Sequence, residues 1–142
     1  MLNVIYAVVG AVFMVGMALF ALLRGGTAER VGAGVYLLAW FASFIFQQNS
    51  GMQGVPIGVA LIDIVLLLVF VGLSWRYRQA WPAWASGLQL ITVMGHIVIL
   101  TRQPVPLASV YTVMNVVGYL IIITLIIGTF WAWQDRKAAG LE

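Results

Sequence analysis

Long apolar runs alternating with short polar segments constrain this chain more than any motif does. Runs at about 2–23, 31–48, 57–75, 82–101 and 107–133 fill most of the 142 residues. About 20 apolar residues in a helix cross the roughly 30 Å hydrocarbon core of a bilayer. The four acids and seven bases fall almost wholly between the runs. With 63% hydrophobic and 8% charged residues and a mean hydropathy of +1.06, the chain lacks the polar shell that a water-soluble core requires. The pattern predicts an all-α fold, an integral membrane bundle of five transmembrane helices forming one domain over residues 1–142.

The connections carry stop and start signals. Arg24-Gly25-Gly26-Thr27 closes the first run, because glycines after the last apolar residue stop a helix. The second run ends on the polar, uncharged turn from Gln47 to Gly54, and the third on Arg76-Tyr77-Arg78-Gln79-Ala80. Pro82 suits the first turn of the fourth helix, whereas Pro104 and Pro106 disfavour continuation past Arg102. The second run is the shortest, so the alternative is four crossings with this run merged or re-entrant. The first run has no basic segment before it and no small-residue cleavage site, so it reads as a span rather than a signal peptide.

Charge placement gives an orientation. Arg24, Arg30, Arg76, Arg78, Arg136 and Lys137 fall on one side of a five-span chain, and Arg102 alone on the other. The positive-inside rule then puts the N-terminus outside and the C-terminus in the cytoplasm, a bias strong enough to argue against dual-topology insertion. Trp75, Trp81, Trp84, Trp131 and Trp133 fall at the same ends, as an aromatic belt would. Arg76, Arg78, Trp81 and Trp84 are therefore expected to be cytoplasmic interface anchors.

Several function classes drop out. A net charge of +3 and a pI near 9.7 could suit nucleic acid, but the bases form no patch or stripe. The lack of cysteine excludes disulfides, thiolate metal sites, iron–sulfur clusters and Cys nucleophiles. No Ser/His/Asp arrangement, phosphate-cradling glycine loop or carboxylate dyad stands out. One histidine and one nearby acid fall short of the three or four ligands that zinc takes, so neither metal nor cofactor is expected.

What remains is a set of polar side chains inside the runs. An acid retained within a membrane span is costly and marks a candidate site. Asp63 falls about 10 Å from the outer end of the third run, His96 about 8 Å from that of the fourth and Asn115 about 12 Å into the fifth, at about 1.5 Å per helical residue. The expectation is one polar layer contributed by three helices, with Asp63 and His96 as a proton-exchanging or structural pair. Gln89, Thr92 and His96 share a face of the fourth helix, and Tyr111, Asn115 and Tyr119 repeat every four residues on the fifth. Either set can line a hydrated path or join helices by hydrogen bonds.

The segment from Asp63-Ile64-Val65-Leu66-Leu67 through Arg76 and Trp81-Pro82-Ala83-Trp84 to Gly87-Leu88-Gln89-Leu90 and His96 resembles a family of small bacterial inner-membrane proteins. That family has an acid in one span, an R…WPxW corner and a GxQL…H span. The resemblance implies a multi-pass protein of the bacterial inner membrane and carries no activity across. Three readings stay open. One is a non-enzymatic accessory or assembly subunit of a larger membrane complex or a homo-oligomer. The second is a small proton-linked transporter or channel with an ion or small-molecule substrate, and the third is a membrane-embedded enzyme. The expected partners are the lipid bilayer and other protein chains, not nucleic acid.

Overall fold

The computed structural model describes residues 2–49 and 55–140, so residues 50–54 of the expected polar turn lie outside the described residues. The described chain forms α1 (Leu2–Arg24), α2 (Thr27–Asn49), α3 (Val55–Tyr77), α4 (Ala80–Leu100) and α5 (Leu107–Ala138). Two helices outrun their apolar segments. α2 begins at Thr27, the start that the sequence offers four residues ahead of its apolar run, and the Glu29 carboxylate reaches back to accept from the Gly26 N–H at 3.0 Å. That contact is half of a capping box and satisfies an otherwise orphaned donor. α5 runs 32 residues, about 48 Å at 1.5 Å per residue, so it tilts or projects past a 30 Å core.

The helices pack in chain order. α1 lies against α2 and α5, α2 against α3, α3 against α4 and α4 against α5, with α2 also touching α5. Thus α2, α3, α4 and α5 enclose a four-helix core, and α1 covers the α2–α5 side. Tyr36, Leu66, Phe70, Trp81, Ile121 and Leu125 form its buried centre, and Met14, Met17 and Ala21 of α1 are buried against it. The outward faces of all five helices are rich in exposed Val, Leu, Ile and Phe. Such a surface suits hydrocarbon rather than water.

Four helices, α1, α3, α4 and α5, are long and apolar enough to cross a membrane. α2 matches them in length but carries Glu29, Arg30, Gln47 and Gln48. One end of the bundle gathers cations. The Arg136 guanidinium donates to the Arg24 carbonyl, while Arg24 and Lys137 flank the Trp133 ring at 5.0 and 4.1 Å from its centroid. Antiparallel succession brings Arg30, Arg76 and Arg78 to this same basic end.

Trp81 corrects an expectation. It is not an interface anchor: only 1% of it is exposed, and it stands edge-on to Phe70 at 6.3 Å. Gly32 on α2 and Gly128 on α5 admit it, since a Cβ on either would lie 2.4–2.5 Å from ring atoms. Its neighbours keep outward positions. Trp75 is 85% exposed, Arg76 and Arg78 are exposed, and half-exposed Trp84 meets Trp131 at 5.5 Å.

Candidate functional site

Spacing on α4 builds the site. Gln89, Thr92 and His96, at i, i+3 and i+7, all lie buried on one face, turned towards the neighbouring helices. Asp63 comes from the middle of α3. His96 Nε2 lies 2.5 Å from Asp63 Oδ2, and Gln89 Nε2 donates both to Asp63 Oδ1 at 3.1 Å and to the Asp63 backbone carbonyl at 3.0 Å. Both carboxylate oxygens are therefore engaged. Only 16% of the Asp63 side chain and 7% of the His96 side chain are exposed.

The chemistry follows from that distance. One hydrogen lies between the two atoms, donated by His96 Nε2–H to the carboxylate or by a protonated Asp63 to the imidazole. A protonated imidazole beside the carboxylate gives the pair no net charge, which lowers the cost of holding it in hydrocarbon. Gln89 orients the carboxylate and, through the backbone carbonyl, ties α4 to α3. The cluster can hold two helices in register or move a proton between two fixed atoms.

A residue missed by sequence reasoning borders this cluster. Tyr36 on α2 is buried, donates its hydroxyl hydrogen to the Gly118 carbonyl of α5 at 3.2 Å, and lies within electrostatic reach of Asp63. Its signal was present: Glu29, Ala33 and Tyr36 stand at i, i+4 and i+7 and are all buried.

Other expected members go elsewhere. Asn115 is exposed on the outer face of α5, and Tyr111 on that helix is half exposed. Tyr119 turns to α1, where it meets Phe13 edge-on at 6.0 Å. The three-helix layer thus reduces to α3 and α4. Two cavities bordered by described residues stand out, and neither is lined by Asp63, Gln89, Thr92, His96 or Asn115. One is an apolar groove of about 360 Å³ between α2 and α3 with Leu66 in its lining. The other, about 180 Å³, lies at the basic end beside Glu29 and Trp81.

Among the described residues, no three His, Cys, Asp or Glu side chains come together as a metal site would need. The chain matches no family model, no curated protein and no solved structure.

Proposed function

We propose that this chain is a five-span, non-enzymatic subunit of a bacterial inner membrane that works by associating with another membrane-embedded chain, a second copy or a larger complex. Asn115 carries this reading. It is the ninth residue of an apolar helix, it is exposed, and no hydrogen bond among the described residues reaches its side chain. An amide left unpaired in hydrocarbon costs several kcal/mol, so polar side chains in spans face protein or water. Tyr111 and Thr112 extend the same face towards the start of α5. The Asp63–His96–Gln89 cluster, satisfied from within, then serves as the clamp that keeps α3 and α4 in register.

Parity supports the fifth span. The ends of α1 and α5 touch through Arg24 and Arg136 and so share a membrane face. Three crossings by α3, α4 and α5 would separate residue 55 from that face, which favours a crossing by α2. With the basic end in the cytoplasm, the N-terminus faces outward and the C-terminus inward.

The test is a photo-crosslinking side chain at Asn115 in native membranes, with Val12 on exposed α1 as the control position. A covalent adduct is expected at Asn115 only, and Asn115→Leu should weaken the association by about 0.6–2 kcal/mol. A stable monomer in mild detergent together with no adduct would sink the proposal. The 2.5 Å contact favours a second reading, proton-linked transport through Asp63 and His96. In proteoliposomes, unchanged and pH-independent flux in Asp63→Asn and His96→Ala removes that role.

A further inference from the structure

The cavity at the basic end has a lining opposite in sign to its surroundings. Its ionisable walls are Glu29 and Asp135, and the rest includes Gln79, Trp81, Trp131 and Gly128. Among the described residues, no lysine or arginine lines it. Glu29 is 1% exposed, and among the described residues its carboxylate meets two neutral donors, the Gly26 N–H on Oε2 at 3.0 Å and the Trp81 indole N–H on Oε1 at 3.2 Å. The indole shares its hydrogen with Gln79 Oε1 at 2.9 Å, which weakens its help to Glu29. A carboxylate has about four acceptor positions, so two of those on Glu29 are unused beside the open volume. The α2 N-terminus helps this carboxylate, and a cation beside it would add a side-chain partner that the described residues do not supply. Anions are excluded by the same two carboxylates.

Size and wall chemistry narrow the cation. A volume near 180 Å³, set against about 30 Å³ for a water molecule, holds a handful of heavy atoms. Indole rings attract organic cations, whereas a hard divalent ion takes six or more oxygens that these walls do not supply. Exposed Asp135 and half-exposed Trp131 mark the mouth. We infer that this cavity is an alkylammonium site, with Glu29 as the buried counter-ion, Asp135 at the entrance and the Trp81 and Trp131 rings as walls. The ammonium can belong to a free amine or to an ethanolamine lipid headgroup, since the site lies where the spans end and cations suited to lipid phosphate surround it. This inference stands apart from the association proposed for α5.

The purified full chain is titrated with ethylammonium chloride at constant ionic strength, reading tryptophan fluorescence. In a second arm it is reconstituted in phosphatidylglycerol vesicles with or without phosphatidylethanolamine, reading thermal stability. A saturable response in the first arm assigns a free amine, and stabilisation by phosphatidylethanolamine alone assigns the headgroup. In either case Glu29→Gln should weaken the effect on the order of tenfold, Asp135→Asn less, and Arg102→Gln at the other end not at all. Should Glu29→Gln fail to fold, Asp135→Asn and Trp131→Leu, at half-exposed or exposed positions, are expected to give several-fold losses. The site is refuted by no response in either arm, or by a response that persists in every cavity variant that folds.

Discussion

Asp63 has three polar contacts, and they are unequal. His96→Leu leaves a carboxylate at a seam where only 16% of it is exposed, a change that costs about 3–5 kcal/mol for a buried pair. Gln89→Leu removes one hydrogen bond to the carboxyl group and one to a backbone carbonyl and should cost about 1–3 kcal/mol. The Asp63→Leu/His96→Leu double variant should be more stable than either single one, because it discards both desolvation penalties with the attraction. Unfolding of the four proteins in mixed micelles checks the order; a double variant less stable than both singles would mean that the pair stabilises beyond its desolvation cost. Thr129 offers the opposite case. It is fully buried with no partner for its hydroxyl, so Thr129→Val should raise the melting temperature, by about 1 kcal/mol of stability. The cost of an ion in a span made Asp63 legible from sequence, and helical spacing made Gln89, Thr92 and His96 one face. That Asn115 points outward was not legible, since equal depth on two helices says nothing of the rotation of either about its axis.

Among the elements, α4 is fixed by the tryptophan at its start. Trp81 lies between α2 and α5, whose backbones come close to opposite ends of its side chain because Gly32 and Gly128 have no Cβ. Gly128→Ala would put a methyl 2.4 Å from Trp81 Cγ and should destabilise by about 1–3 kcal/mol, as overpacking does. Gly16 and Gly34 meet nothing within 4 Å, so alanine there should be neutral or stabilising by up to about 1 kcal/mol. Melting temperatures in one detergent distinguish the two classes, and equal effects would remove the packing role given to Gly128. Every helix was legible as an element because hydropathy sets the spans. The end of α5 was less so, because its charged last turns continue a helix beyond its apolar part. The burial of Trp81 was hidden because tryptophan near the end of a span ordinarily marks the interface, and the glycines that admit it are distant in sequence.

For the whole molecule, the decisive quantity is the number of crossings. α2 is the least apolar helix, yet it carries core residues: Ala28, Ala33 and Tyr36 are buried, and it contacts α1, α3 and α5. Were α2 to lie on the membrane surface, those contacts would have to break and the ends of α1 and α5 would part onto opposite faces. The native chain has no cysteine, so a single introduced thiol reports its own side without background. Thr27→Cys and Ala138→Cys sit at the basic end, whereas Gln103→Cys lies in the opposite connection, all at exposed positions. With five crossings and the basic end inside, an impermeant thiol reagent added to intact spheroplasts should label Gln103→Cys and spare the other two until the membrane is opened. Four crossings would split Thr27→Cys from Ala138→Cys. Labelling of both basic-end positions with protection of Gln103→Cys would keep the fold and reverse its orientation. Charge resists that reversal, because six bases at one end against one at the other would then have to be translocated.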